Sequence, residues 1–201
     1  QESQDKVNNA IQKILNRGTL AGYIVDKSIL KYYSFLCMEL IINNGFSDVS
    51  AIAYINYAYL LSNYWCDYKK GYTIGLKGVE LNNYFNDLYN RAIVFERFSN
   101  FISIWVKPIK ITFELNQEGF KAGLENGNIL NAGIIYSHSI SNMFYTGKKI
   151  PSILEKSNER INFYNVYDNK LIRPVVHTFR AACLNLQGNT SSEITFEDDT
   201  F

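Results

Sequence analysis

The sequence predicts an all-α fold of about eight or nine helices, arranged as a stack of antiparallel pairs. Three observations carry this. Apolar residues recur with a helical period from one end of the 201-residue chain to the other. Only three prolines interrupt it, where a β-sandwich would carry more turn punctuation. Gly, Asn-Asp and Pro breaks separate the periodic runs, so the helices follow one another through short connections.

Val7, Ile11, Ile14 and Leu15 form a first apolar stripe, with Gly18 as its expected stop, which places an N-terminal capping helix over 3–17. A second helix starts near Asp26 and turns Ile29, Leu30, Tyr33, Leu36, Cys37, Leu40 and Ile41 inward. Gly45 falls where a left-handed C-cap is expected. Ser47 and Ser50 are both acceptable N-caps for a third helix running to about Trp65. Asp67 can cap a fourth, through Tyr72, Ile74, Leu76, Val79 and Leu81. This segment holds Gly71, Gly75 and Gly78 on one face. Each mid-helix glycine costs about 1 kcal/mol relative to alanine, and the use of such a face is close helix approach.

Asn86-Asp87 is the next break, and a fifth helix covers about Leu88 to Trp105. Pro108 ends it or opens the sixth, which carries Ile111, Phe113, Leu115, Phe120 and Leu124. Gly127-Asn128 is a turn before a seventh helix over Leu130 to Phe144, and Gly147 breaks that one. Pro151 opens an eighth helix with Ile153, Leu154, Ile161 and Tyr164. A ninth lies within Asn169 to Leu186, with Pro174 in an early turn or at a kink. The domain spans 1–188, and a polar, acidic, loosely packed tail occupies 189–201.

The third and fourth helices, the fifth and sixth, and the seventh and eighth make units of about 38 to 45 residues, between tetratricopeptide and armadillo periods. One pair cannot bury both of its apolar faces, so the units must stack. An open bundle gives a similar pattern.

The net charge of +1, from 20 basic and 19 acidic residues, provides no footprint for nucleic acid or anionic lipid. No apolar run reaches the ~18 residues of a membrane span. Cys37, Cys66 and Cys183 are odd in number and far apart, so buried free thiols are expected rather than a disulfide framework or a zinc site. The polar start at Gln1 has no signal-peptide character, and the chain reads as a segment of a longer, cytoplasmic protein.

Three stretches of the first half resemble one bacterial family: LCMELIINNGFSDVS from Leu36 to Ser50, AIAYINYAYLL after it, and GYTIGLKGVELNNYF from Gly71. So do FISIWVKPIKITFELNQEGFKAGLENGNILNAG from Phe101 and the run from Ser137 through FYTGKKIPSILEKSNERINFY to AACLNLQG. The family is that of large hybrid signalling ATPases. They join a serine/threonine-kinase-like domain, an AAA-type ATPase, a long helical region, a GAF domain and a sensor histidine kinase of two-component systems. The resemblance is to the helical region, covers residues 20–201, and rests on ordered similarity rather than one short motif. It implies a right-handed, degenerate tetratricopeptide-like stack with a regulatory role and no catalysis of its own. Gly71, Gly75 and Gly78 suit the small positions of such a repeat's second helix, while the other units match them poorly.

A search for chemistry finds little. Thr146-Gly147-Lys148-Lys149 has the Gly-Lys pair of a P-loop but lacks its first glycine and its Ser/Thr, so it reads as a turn. His138 and His177, with no H-E-x-x-H and no clustered partner, do not make a metal site. Ser137-His138-Ser139 lies mid-helix, where adjacent side chains diverge and cannot form a nucleophile and base. No enzyme activity, cofactor or metal is expected.

The aromatic excess, 15 Tyr and 13 Phe, is the remaining hint. Tyr54, Tyr57, Tyr59 and Tyr64 cluster on the third helix, and Phe95, Phe98, Phe101 and Trp105 on the fifth. Tyr136, Phe144 and Tyr145 fall on the seventh. Two functions are compatible with this. The first is an interaction and relay module contacting other domains of the parent or a regulatory protein, through Tyr57, Tyr64, Arg91, Trp105, His138, His177 and Arg180. The second is a small-molecule sensor, with an apolar or aromatic ligand held between helix pairs near His138.

Overall fold

The computed structural model describes residues 2–3, 5–167 and 173–191. Among them nine α-helices are found: α1 (Lys6–Val25), α2 (Lys27–Asn44), α3 (Ser50–Asn63), α4 (Tyr68–Phe85), α5 (Leu88–Arg97), α6 (Thr112–Glu125), α7 (Ile129–Tyr145), α8 (Ile150–Tyr167) and α9 (Arg173–Leu186). The described residues contain no strand, only an isolated bridge between Glu2 and Phe46. The expected tail lies outside the described residues from 192 onward, as does the proposed start of the ninth helix at 169.

Local chemistry sets most boundaries. Asp5, Asp26, Asp67 and Asp87 cap α1, α2, α4 and α5, each side chain accepting a backbone N–H of the first turn. Gly45, Gly127 and Gly147 have positive φ at or just beyond the ends of α2, α6 and α7. Asn86 takes the left-handed conformation between α4 and α5. Helix α3 has no side-chain cap; the Ser47 N–H instead donates to Ser50 Oγ. Pro174 sits in the first turn of α9.

Two expectations about α1 are corrected. The helix does not stop at Gly18 but runs to Val25, and Gly18 packs under the ring of Tyr33. Of the expected Val7, Ile11, Ile14 and Leu15 stripe only Leu15 packs against the core, while the first three are 69%, 40% and 72% exposed. Gln12, Asn16, Thr19 and Gly22 are buried instead. The reason is a chain of hydrogen bonds. Asn16 Nδ2 donates to Val49 O at 3.0 Å, Thr19 Oγ1 to Asn16 O at 2.6 Å, and Asn56 Nδ2 to Thr19 Oγ1 at 3.2 Å. A polar stripe buries when each member finds a partner. Cys66, expected to be buried, is exposed, while Cys37 and Cys183 are buried; all three are free thiols.

Each helix packs on the next, and α1, α3, α5, α7 and α9 also touch one another in succession. The α3–α4 contact is the glycine seam: a Cβ on Gly78 would lie 3.0 Å from Ala51 O and 2.9 Å from Ile55 Cγ1. Gly75 serves the segment that follows α5 in the same way, opposite Phe98 and Ile102. Helix α6 repeats the device. Gly119 and Gly123 lie against Phe95 and Ala92 of α5 on one side, and Ile135 and Ala132 of α7 on the other. The α4 glycines therefore do have a counterpart, spaced by four residues like Gly71 and Gly75.

Helix α5 is at the centre. Past Arg97 it widens into a π-helical turn over Phe98–Ile102, with the Ser103 N–H donating to Phe98 O. It tightens to 3₁₀ at Ser103–Trp105. The widened turn lets both apolar and polar sides bury. Phe98 and Ile102 join the core with Ile55, Ala58 and Val94. Ser99 and Asn100 bond to Asn116 Oδ1 of α6 at 2.6 and 3.0 Å, and Asn142 of α7 donates to Asn100 Oδ1 at 2.9 Å.

Candidate functional site

Where α1, α3, α5, α7 and α9 face one another, packing is incomplete. A cavity of about 400 Å³ remains. Its wall is mainly apolar and aromatic, with Leu20, Tyr59, Phe101, Ile134 and Val175 contributing. Into it come Glu96 and Arg97 of α5 and His138 of α7, beside the phenols of Tyr23 and Tyr59. This combination of apolar wall and few convergent polar groups is the usual make-up of a ligand pocket, whose volumes run from roughly 300 to 1,000 Å³.

Sequence position explains the cluster. Within the run from Ala92 to Trp105, Glu96 and Arg97 are the only charges. Helical spacing puts Glu96 on the stripe of Ala92 and Ser99, so it is carried into the interior and is 3% exposed. Its Oε1 has no hydrogen-bond partner and lies 3.4 Å from His138 Nε2. Burial pushes the Glu96 carboxyl up to about 7, against a smaller pull from neighbouring Arg97. Burial pushes the His138 imidazole down to about 4. Both groups are therefore held toward their neutral forms, and a protonated Glu96 can donate to an unprotonated Nε2. The His138 ring also meets Phe101 edge-on, with centroids 5.2 Å apart.

Arg97 is fixed by Asn56, whose carbonyl oxygen accepts from Nη1. Because Asn56 spends its amide N–H on Thr19, its oxygen is the end left facing the guanidinium. Burial lowers the proton affinity of Arg97, partly offset by Glu96 and the Tyr59 and Tyr23 phenols. Desolvation raises Tyr59 well above the ordinary tyrosine range.

Of the seven residues singled out in the sequence, only His138 reaches this cavity. Tyr57 meets Phe35 of α2 edge-on, and the Tyr64 ring lies under Lys31 Nζ at 4.5 Å. Arg91 ties three segments together, donating to Asn82, Asn86 and Glu118. Trp105 is half exposed and stacks on Tyr68 with centroids 5.0 Å apart. His177 accepts from Arg173, and Arg180 donates to Asn158. Glu96, Arg97, Asn56 and Tyr59 are among the cavity residues left out of that selection. The available signal was the Glu-Arg pair inside an otherwise uncharged, aromatic-rich helix, since a charge on an apolar stripe is rarely buried without purpose.

The Ser137-His138-Ser139 triplet is mid-helix, and both serine hydroxyls donate to carbonyls three residues back, at Ile134 and Tyr136. Among the described residues no group of three or more His, Cys, Asp or Glu side chains could hold a metal ion. None of the described helices is long and apolar enough to cross a membrane. Searches against models of protein families, curated proteins and solved structures returned no match.

Proposed function

We propose that this chain is a non-catalytic regulatory module, a tetratricopeptide-like stack from a bacterial sensor-kinase-type signalling protein, and that it senses a small apolar or aromatic molecule in the inner-face cavity. The observation that carries this is the cavity itself: about 400 Å³ of space, apolar walls, and a buried Glu96 carboxyl whose Oε1 makes no hydrogen bond beyond a 3.4 Å approach to His138 Nε2. A packed protein interior leaves few such voids, and an unpaired buried polar atom costs about 1–3 kcal/mol. A ligand would fill the first and relieve the second. Six helices line the cavity, the five odd-numbered ones and α2 through Leu30, so occupancy would be felt along the row of odd-numbered helices and passed to neighbouring domains.

The reading is tested with N-phenyl-1-naphthylamine, a neutral aromatic probe whose fluorescence rises on leaving water. It is expected to bind with one-site stoichiometry, and Leu20→Trp, which fills the cavity from α1, is expected to abolish the signal. No enhancement with the unmodified protein would sink the proposal.

Relay through protein contacts is supported by a different observation. Helices α1 and α2 expose Ile14, Ile24, Val25, Tyr32 and Ile42 at 59–80% of their surface. An exposed apolar face of this kind suits docking to another domain of the parent or to a regulatory protein.

A further inference from the structure

We propose that the cavity selects an anion: a ligand with an apolar or aromatic body ending in a carboxylate, which Arg97 holds through its free guanidinium edge. This rests on the reading of the cavity as a ligand site and adds the class of ligand.

Two other arginines within helices, Arg91 and Arg160, are at least half buried and are engaged by the protein on several sides. Arg91 donates to three side-chain acceptors and pairs with Glu118 at 3.4 Å. Arg160 donates to Tyr136 O, Ser139 Oγ and Lys156 O, with its guanidinium over the Tyr136 ring at 4.0 Å. Arg97 differs. Among the described residues its one hydrogen-bond acceptor is the neutral amide oxygen of Asn56, and no carboxylate forms an ion pair with it. A guanidinium has five N–H donors in a planar fork. A buried cation with most of its fork unused is costly unless something else occupies it.

Glu96 does not supply that partner, although it is adjacent in sequence. Successive helical residues diverge, and its Oε1 faces His138 Nε2 instead. Held toward the neutral form by burial, Glu96 leaves the guanidinium as the charge that dominates the cavity. His138, held neutral in the same way, adds none. The hydrogen-bond chain from Asn16 through Thr19 to Asn56 fixes the amide that orients the fork. A planar carboxylate matches that fork in bidentate fashion, and the aromatic wall of Tyr59 and Phe101 accepts the rest of the molecule.

The test compares 2-naphthoate with 2-naphthamide, which share one ring system and differ in charge, by calorimetric titration of the whole chain. The naphthoate is expected to bind at least about tenfold more tightly, the effect of one charge-assisted bidentate contact. Arg97→Met is expected to remove that preference while leaving naphthamide binding within about twofold, and Arg97→Lys to restore part of it. Equal binding of the two compounds to the unmodified protein would overturn the proposal, and needs no variant that folds. So would a naphthoate affinity unchanged in Arg97→Met. If neither compound nor the neutral naphthylamine binds, the cavity is not a ligand site, and it is the functional reading that fails.

Discussion

The two sides of α3 are packed in opposite ways. Toward α4 it meets a glycine face so close that a Cβ added there would lie 3.0 Å from Ala51 O, 2.9 Å from Ile55 Cγ1 and 3.1 Å from Ala58 O. Toward α1, α5 and α7 it presents Asn56 and Tyr59 to a mainly apolar cavity that also holds Glu96, Arg97 and His138. One side is a joint, where an added atom meets side chain and backbone at once. The other has room. Helices packed in this way are held together on one face and left room on the other.

The largest effects should come from the joint. Gly71→Val and Gly78→Val together place branched side chains against Ser62, Ala58 O and Ala51 O, where relaxation requires moving α4 off α3. The expected loss is about 3 kcal/mol or more, from the cost of overpacking at two sites, read by urea denaturation. Leu20→Trp adds volume on the other side of α3, and the cavity has space for it. It should cost less than about 1 kcal/mol. If the two changes proved equally damaging, the contrast between joint and cavity would be lost.

A second comparison lies along α5. Asn100 is wholly engaged, exchanging hydrogen bonds with Asn116 and accepting one from Asn142. Asn100→Ala leaves Asn116 Nδ2 without its acceptor and takes one of two acceptors from Asn142 Nδ2, which keeps Thr112 Oγ1, and should cost about 1–3 kcal/mol. Trp105, two turns on, is half exposed and stacked on Tyr68. Trp105→Ala should cost about 1 kcal/mol, the worth of an aromatic pair, and leave probe binding unchanged. A loss of binding in that variant would move the functional surface away from the cavity.

These contrasts also mark what could be read from the sequence. The joint was legible because Gly71, Gly75 and Gly78 break a helix rule that only close packing excuses. The breaks at Gly45, Asn86-Asp87, Gly127 and Gly147 were legible because caps and left-handed turns depend on a few adjacent residues. The inner face was not. Apolar periodicity assigned Val7, Ile11 and Ile14 to the core of α1, yet the interior there is written in Gln12, Asn16 and Thr19. Polar residues bury only when their partners arrive from distant helices, and Asn16 and Val49 are 33 residues apart. Glu96 and Arg97 followed the same logic. Their burial depends on the π turn that follows and on three other helices, none of which a local pattern encodes.

The smallest effect expected is a cancellation, and it tests the cavity most finely. Glu96 is raised to about 7 from an ordinary value of 4.5, so its contribution to stability is full below 4.5 and is lost as pH rises through 7. His138 is lowered to about 4 from 6.5, so its contribution is full above 6.5 and is lost as pH falls through 4. Between 4.5 and 6.5 the two slopes oppose. The unfolded chain holds its proton on the histidine and the folded chain holds it on the carboxyl, so folding takes up no net proton from this pair. Arg97, Tyr23 and Tyr59 face the same cavity; the guanidinium stays charged, and burial moves Tyr59 further from this window. The pair should therefore add almost no pH dependence of its own. Glu96→Gln exposes the histidine term, and relative to the unmodified protein it should lose stability as pH falls from 6.5 to 4. His138→Asn exposes the carboxyl term and should gain stability as pH falls from 7 to 4.5. Denaturation midpoints at half-unit steps of pH read both differences. Difference curves of the same sign in the two variants would mean that Glu96 and His138 do not share one buried site.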